Sequence, residues 1–213
     1  MSDAEVRRRP RQERSKSRVE TILDVALEMI IESGAEDLAM REVARRADVP
    51  IGSVYQYFPS KTAIIRELAK RNLERVSQMM QDELAALLAE TGGRPTPRQA
   101  VDRLIDAYYS YYRDHPAATA VWAGAQAAPT LRELDVADTR RTAEFLTPTM
   151  MMTLPLHDAG EAFALALLFA EVAGSAARLA LAVAPPLREQ IVAKLKLMLV
   201  ATMEAHRPGG AAA

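Results

Sequence analysis

Apolar residues recur at intervals of three and four along nearly the whole chain, and this period most constrains what the chain can fold into. In the first such stretch, one helical face carries Val19, Ile22, Leu23, Ala26 and Ile30. No segment shows the alternation of apolar and polar residues that is typical of a half-buried strand. Ala, Leu, Arg and Glu are abundant, and these residues favour helices. The sequence therefore predicts an all-α protein.

Glycine, proline and capping signals divide this pattern into about nine helices. Ser17 with Glu20 forms a capping box that predicts the start of the first helix. The clearest break is GGRPTP at residues 92–97. The expected helices cover about residues 18–33, 40–47, 60–90, 97–114, 130–152, 158–184 and 186–205, with two short helices near residues 54–58 and around residue 122.

The residue types exclude several kinds of chemistry. The chain has no cysteine, which excludes a disulfide scaffold, a zinc–thiolate site and a cysteine nucleophile. Its three histidines, His115, His157 and His206, are far apart and lack the spacing of metal ligands. No nucleophile motif surrounds the serines. We therefore expect no cofactor, no metal and no catalytic residue, and an enzyme is the least favoured function.

Neither a leader nor a membrane span is predicted. The basic N-terminus is not followed by the apolar segment of a signal peptide. The most apolar stretch, residues 163–184, is interrupted by Glu171 and Arg178, and charges near the centre of a membrane span are costly. The sequence predicts a cytoplasmic protein that does not use a membrane as partner.

Charge is concentrated near the N-terminus. The net charge is only -1, yet seven Lys or Arg and a single acid, Glu13, lie between Arg7 and Arg18. We predict a disordered basic tail over residues 1–16 and a second disordered tail over residues 207–213. A basic tail is commonly just solvated, but one next to a DNA-binding domain can enter a minor groove.

The stretch DVPIGSVYQYFPSK, residues 48–61, joins segments that both have a helical pattern. Val54 and Phe58 can pack with Val43 against the first helix, which leaves the Tyr-Gln-Tyr run at residues 55–57 outside the core. Two short helices joined by a tight turn are typical of a helix-turn-helix, whose second helix lies in the DNA major groove. A half-buried surface turn without DNA is the alternative interpretation.

The side chains of this stretch suit nucleic acid. The amide of Gln56 has the donor and acceptor that read adenine. Tyrosine hydroxyls and Ser53 can bind phosphates. Lys61 adds a positive charge at the start of the next helix.

The segment GAEDLAMREVARRADVPIGSVYQYFPSKTAIIREL resembles the DNA-binding domain of the tetracycline-repressor-like (TetR) transcriptional regulators. The resemblance covers about residues 15–70. The pattern that carries it consists of Gly34, Val43, Ala44, Ala47, Val49, Gly52, Val54, Tyr55, Tyr57, Phe58, Lys61 and Leu68.

The resemblance implies DNA contacts from the second and third helices and the start of the fourth. The residues implied are Arg41, Pro50, Ile51, Gly52, Ser53, Tyr55, Gln56, Tyr57 and Lys61. Two positions depart from the family pattern. Ala39 stands where a threonine often caps the second helix, and a lost cap costs about 1 kcal/mol. Ile51 stands where relatives often have lysine, and an isoleucine can touch a thymine methyl but cannot bind phosphate.

The family resemblance also implies a C-terminal domain that binds a ligand and dimerises through its last two helices. We predict a DNA-binding domain at residues 17–64 and a ligand-binding and dimerisation domain at residues 65–206. The last helix carries Ile191, Leu195, Met198, Leu199 and Met203 along one face. Candidate ligand contacts are Tyr108, Tyr112, Trp122, Gln126, Phe145 and Met152, although such stripes are more often simply core.

These expectations combine into one function. The chain is expected to be a homodimeric repressor that binds a double-stranded, inverted-repeat operator and is released by a small, largely apolar or aromatic effector. A helical adaptor that binds protein and no DNA is the alternative, but it leaves the exposed residues 55–57 unexplained.

Overall fold

The computed structural model of the chain describes residues 4–127, 131–156 and 158–206, with side chains described for residues 15–125, 131, 133–156 and 158–206. These residues form nine helices and no strand, which confirms the predicted all-α class. The predicted tail at residues 207–213 lies outside the described residues. The helices are α1 Ala4–Ser33, α2 Met40–Arg46, α3 Ile51–Tyr57, α4 Lys61–Glu90, α5 Pro97–Asp114, α6 Pro116–Ala127, α7 Arg132–Thr153, α8 Ala159–Leu181 and α9 Leu187–Ala205.

Local capping residues set several of these helix starts. Ser60 Oγ accepts a hydrogen bond from the backbone N–H of Ala63 at 3.2 Å, which caps α4. Thr96 and Gln99 form a reciprocal capping box before α5, with the backbone N–H of Thr96 2.9 Å from Gln99 Oε1. Asp158 caps α8 by accepting from the backbone N–H of Glu161 at 2.8 Å. Sequence signals alone were sufficient for these boundaries.

The first helix begins much earlier than predicted. It starts at Ala4, whereas the sequence predicted a helix from about residue 18 behind a disordered tail over residues 1–16. Ser17 lies inside the helix, where its backbone carbonyl accepts a hydrogen bond from Thr21 Oγ1 at 3.0 Å. Arginine, glutamate and glutamine dominate the added segment, and these side chains lose little freedom in a helix. The helix therefore continues toward the N-terminus past the apparent capping box.

The chain divides into two compact units. The first comprises Met1–Asn72 with His115–Arg132, and the second comprises Leu73–Asp114 with Glu133–Ala213. In this division α6 groups with the N-terminal unit, whereas the sequence predicted two domains that meet at residues 64 and 65. The reason is a close approach of helix to loop. A Cβ placed on Gly124 of α6 would lie 2.4 Å from Ala35 Cβ and 4.0 Å from Ile65 Cγ2, so only glycine fits there.

The second unit has its own core, built where α5 and α8 pack on α9. Its buried members are Val101, Ile105, Ala143, Met150, Leu154, Ala166, Phe169, Leu195, Leu199, Val200 and Met203. Lys196 of α9 adds an ion pair to Asp106 of α5, with Nζ 2.7 Å from Oδ1. The predicted apolar face of α9 is therefore largely internal core.

One described helix, α8, is long and apolar enough to cross a membrane by length and composition, with mean hydropathy 1.6 in its most apolar 18-residue window. Only 28% of that window is buried within the chain. Leu168 and Leu179 are each 56% exposed on α8, and Met198 is 60% exposed on α9. A groove of about 680 Å³ between the two helices is lined by Val172, Ala176, Leu187, Gln190, Ile191, Lys194, Leu195 and Met198. The second unit thus leaves much apolar surface uncovered.

Candidate nucleic-acid interface

A tight turn sets the angle between α2 and α3. Asp48 adopts a left-handed conformation with φ 52°, which aspartate tolerates better than most residues. The backbone N–H of Asp48 donates to the carbonyl of Arg45 at 3.4 Å, and that of Val49 donates to the carbonyl of Ala44 at 3.1 Å. This pair of bonds is a Schellman motif, which satisfies the last carbonyls of α2. The predicted helix-turn-helix is therefore present, and its tight turn contains a left-handed residue at Asp48.

Buried side chains hold α3 in place behind its outer face. Val43 and Val54 are fully buried, and Phe58 is 6% exposed. The N-cap of α2 is Ala39, which makes no side-chain capping bond. This agrees with the predicted loss of a cap, so α2 depends on packing for its stability.

The outer face of α3 consists of two short rows, each one helical turn long. Ile51 and Tyr55 form one row, with 39% and 51% of their surface exposed. Gly52 and Gln56 form the other row, and both are exposed. The predicted DNA contacts Arg41, Pro50, Ile51, Gly52, Tyr55, Gln56 and Lys61 are all exposed, whereas Ser53 and Tyr57 are half-buried.

Two of the predicted contacts already have partners within the chain. Tyr57 Oη lies 2.9 Å from Ser15 Oγ, so this hydroxyl joins α3 to α1. Lys61 Nζ donates to the carbonyl oxygen of Glu36 at 2.6 Å, which ties the start of α4 to the loop before α2. These bonds position the helix-turn-helix. Sequence reasoning missed this role, because nothing in the local pattern indicates a partner 42 or 25 residues away.

The arginines of α2 differ in their pairing. Arg45 binds both carboxylate oxygens of Glu42, at 2.6 and 2.8 Å. Arg46 bridges Glu42 and Glu32 of α1, with its closest contact to Glu32 at 2.7 Å. The hydrogen bonds from Arg45 and then Arg46 lower the pKa of Glu42 to about 2. Arg41 makes no ion pair with any described residue, so its charge is available to a partner.

The acidic face of α1 supports other helices. Glu20 accepts two hydrogen bonds from the guanidinium of Arg71 on α4, one of them from Nη2 at 2.9 Å. Arg71 also binds Glu67 at 2.9 Å, and the bonds to Glu20, followed by those to Glu67, raise its pKa. Glu20 therefore fastens α1 to α4.

The second unit contains a half-buried polar cluster next to its aromatic side chains. The rings of Tyr108 and Tyr112 meet edge to face with centroids 5.2 Å apart, and Tyr112 is 1% exposed. Burial, and then the neighbouring charges of Tyr112 and Asp138, raise the pKa of Tyr108 well above its usual value. Burial also raises the pKa of Asp138 to about 6, partly opposed by Arg141. The sequence analysis missed Asp138, although this acid shares an inward face of α7 with Leu134 and Phe145.

The other predicted ligand contacts are more scattered. Trp122 is buried, but it belongs to the first unit. Phe145 is half-buried on α7, and Met152 is 63% exposed. The side chain of Gln126 lies outside the described residues. Tyr108 and Tyr112 are the predicted pair that the structure brings into direct contact.

A polar cleft of about 710 Å³ lies between α4 and α5 in the second unit. Arg103 forms ion pairs there with Glu83 at 2.8 Å and Glu90 at 2.7 Å. Glu83 and Glu90 are thus paired within the chain, and their ion pairs with Arg103 join α4 to α5. Among the described residues, no group of three histidine, aspartate or glutamate side chains could hold a metal ion.

Two family profiles match the chain. The profile "Bacterial regulatory proteins, tetR family" matches residues 22–68, and "Tetracyclin repressor-like, C-terminal domain" matches residues 95–206. The second match covers more than half of the 213 residues. The chain belongs to the tetR family of bacterial regulatory proteins. This confirms the resemblance that the helix-turn-helix sequence indicated, in a family of regulators and not of enzymes.

Individual similar proteins agree with this assignment. A TetR-family transcriptional regulator from Streptomyces coelicolor has a similar crystal structure, with 30% identity, a TM-score of 0.65, and coverage of 89% of this chain and 99% of that one. The HTH-type transcriptional repressor KstR of Mycolicibacterium smegmatis is 38% identical over 86 residues, which is 40% of each protein. The HTH-type transcriptional regulator BetI of Escherichia coli is 29% identical over 145 residues, 66% of this chain and 72% of that protein. The chain thus matches less than half the length of KstR.

Substituting alanine for each of two helical glycines of this TetR-family chain is expected to change the free energy of unfolding in opposite directions. Nothing lies within 4 Å of a Cβ added to Gly52, whereas one added to Gly124 overlaps Ala35. We expect Gly52→Ala to raise the free energy of unfolding by about 0.5–1 kcal/mol, because alanine is the better helix former. Gly124→Ala should lower it by about 1–3 kcal/mol through overpacking. Urea unfolding of the two variants measures both effects, and equal shifts would contradict the close approach at Ala35.

Proposed function

We propose that the protein is a homodimeric, DNA-binding repressor of transcription in the bacterial cytoplasm that responds to a small effector. The observation that carries the proposal is the exposed face of α3. This face is held in place by buried side chains behind it, and α3 carries neither lysine, arginine, aspartate nor glutamate. The chain to which it belongs is a member of the tetR family. In a helix-turn-helix this face is the one that enters the major groove.

The charges around α3 support DNA as the partner. Arg41 forms no ion pair with any residue that the structure describes, while Glu42 and Glu32 are each bound to arginines. Two carboxylates that could repel phosphates are thus engaged within the protein, and the charge of Arg41 remains available. A protein-binding adaptor, the alternative function, gives no account of this separation of charges.

The arginines of α2 supply the test. Arg41→Ala should reduce the slope of log affinity against log salt concentration by about 0.9 for each copy of the chain on the DNA. Arg45→Ala is the matched control on the same helix, because Arg45 is already paired with Glu42. The measurement is fluorescence anisotropy on a duplex enriched by the full-length protein from a random pool. Absence of any enriched duplex would refute the proposed function, and equal slopes for the two variants would refute the role of Arg41.

The uncovered apolar surface of α8 and α9 supports the homodimer. About half of each of Leu168, Leu179 and Met198 is exposed, so covering each would contribute roughly 1 kcal/mol. A second copy provides matching apolar surface, since a twofold axis brings the same patch from both chains together. A dimer also explains how two reading helices could address the two halves of an inverted-repeat operator.

The effector site proposed here lies in the second unit, around Tyr108, Tyr112 and Asp138. Two tyrosine rings in edge-to-face contact favour an apolar or aromatic ligand, and a half-buried carboxyl provides a specific polar contact. Coupling to DNA is proposed to run along α4, a continuous helix that begins at Lys61 in the first unit and ends at Glu90 in the second. The effector must then bind the DNA-free form more tightly.

This coupling predicts reciprocal effects. A bound operator should weaken effector binding by the same factor, roughly 5- to 150-fold, by which the effector weakens operator binding. Trp122 is the single tryptophan, and it is buried in the first unit, so a change in its emission when a ligand binds in the second would report the proposed coupling. Titrating candidate compounds with and without operator measures both affinities. Equal effector affinities in the two titrations would rule out release by this ligand.

A further inference from the structure

Ile51 and Tyr55 are the most unusual side chains on the outer face of α3. They are four residues apart, hence adjacent on one side of the helix, and they expose 39% and 51% of their surface. Tyr55 makes no hydrogen bond to any described residue, in contrast to Tyr57, whose hydroxyl is held by Ser15. The fold therefore does not use this apolar pair.

The surroundings of the pair indicate what covers it. The row beside it holds Gly52, which leaves open space for a Cβ, and Gln56, which is exposed. Nothing in the fold requires glycine at that position, so close approach of a partner is the remaining reason for it. Arg41, nearby in sequence on α2, supplies a charge that is not paired within the described part of the chain. Apolar contact combined with a phosphate contact and a close approach fits the DNA major groove.

We propose that Ile51 and Tyr55 form an apolar reading pair that selects thymine by its 5-methyl group. The inference rests on the proposed DNA-binding function and deepens it, because it names the feature of the base that is read. Among the four bases, only thymine presents a methyl group in the major groove. An isoleucine cannot bond phosphate, so its contribution to DNA binding is specificity for sequence instead of general affinity.

The test uses full-length protein and a duplex that it enriches from a random pool. Each thymine of the enriched site is replaced in turn by deoxyuridine, which keeps the base pair and its hydrogen-bonding groups but lacks the methyl. For the wild-type chain, at least one position in each half-site should lose about fourfold in affinity, the equivalent of one buried methyl group. Replacement in both half-sites together should cost about 15-fold.

The variants assign the effect to this pair. Ile51→Ala should bind the thymine and deoxyuridine duplexes equally at the sensitive position. Ile31→Ala is the matched control, because Ile31 is 51% exposed on α1 and should leave the discrimination intact. Ile51→Lys should also abolish the discrimination while steepening the salt dependence, since it exchanges an apolar contact for a charge.

The outcomes separate the two proposals. Enrichment of a duplex with no sensitive thymine would overturn the reading pair and leave the DNA-binding function standing. Discrimination that persists in both Ile51→Ala and Tyr55→Ala would overturn it as well. Failure to enrich any duplex would overturn the proposed function and this inference with it.

Discussion

Met198→Glu is expected to convert the dimer into monomers and to lower operator affinity by at least about 100-fold. The side chain of Met198 is 60% exposed and lines the apolar groove between α8 and α9. A twofold interface would contain the new charge twice, and burying an unpaired carboxylate in apolar surroundings is strongly unfavourable. A monomer has only one helix-turn-helix, so it loses an avidity gain that is typically 10²- to 10⁴-fold.

The measurement is sedimentation at micromolar concentration, where the wild-type chain should show twice the 23.4 kDa mass of one chain. Val136→Glu is the matched control, because Val136 is 63% exposed but lies on α7. It should remain dimeric and bind DNA normally. A dimeric Met198→Glu variant, or a wild-type chain that sediments as a monomer, would contradict the proposed interface.

The position of the substitution matters. Leu195 and Leu199 lie on the helical face that the sequence suggested for dimerisation, but each is only 5% exposed within the core of its own unit. A charge at either position should unfold the second unit, so such a variant could not distinguish a lost interface from a lost fold. Met198 avoids this ambiguity.

Asp138→Asn is expected to stabilise the protein at alkaline pH by up to about 3 kcal/mol. Burial raises the pKa of Asp138 to about 6 from an ordinary value of 3.8. The folded state therefore binds the proton more tightly than the unfolded state does. Protonation of Asp138 therefore stabilises the wild-type fold at low pH. The wild-type chain should lose this stabilisation as the pH rises from about 4 to about 6, at about 1.4 kcal/mol per unit of pKa difference.

The comparison that isolates this effect is the difference in unfolding free energy between variant and wild type. The difference should be smallest near pH 4, grow in favour of the variant up to about pH 6, and stay constant above it. Asp138→Ala removes the same titrating group with different packing, so it should show the same pH slope with a different offset. A difference that does not depend on pH would mean that the carboxyl is solvated in the folded state.

The same carboxyl can reveal the chemistry of the proposed effector. A ligand that accepts a hydrogen bond needs the protonated acid and should bind more tightly below pH 6. A cationic or hydrogen-bond-donating ligand needs the carboxylate and should bind more tightly above it. The pH dependence of binding in the wild-type chain, absent in Asp138→Asn, identifies which class is bound.

Local signals in the sequence were sufficient to predict the helices and the helix-turn-helix. Ser60, Thr96 and Asp158 cap the helices that follow them, because a cap needs only a side chain within three residues of the backbone group it binds. The helix-turn-helix was also predictable. Its turn and its packing positions, such as Val54 and Phe58, lie within one short stretch of chain.

The sequence by itself determined the all-α class, most helix boundaries, the family and the exposed face of α3, since each depends on neighbouring residues. Only the tertiary structure decided which of those residues are engaged elsewhere. Ser15 holds Tyr57, the carbonyl of Glu36 holds Lys61, and Ala35 requires glycine at position 124. It also decided which side of α9 is core and which is uncovered. These contacts join residues far apart in the chain, and helical periodicity shows that a face is apolar but not what packs against it.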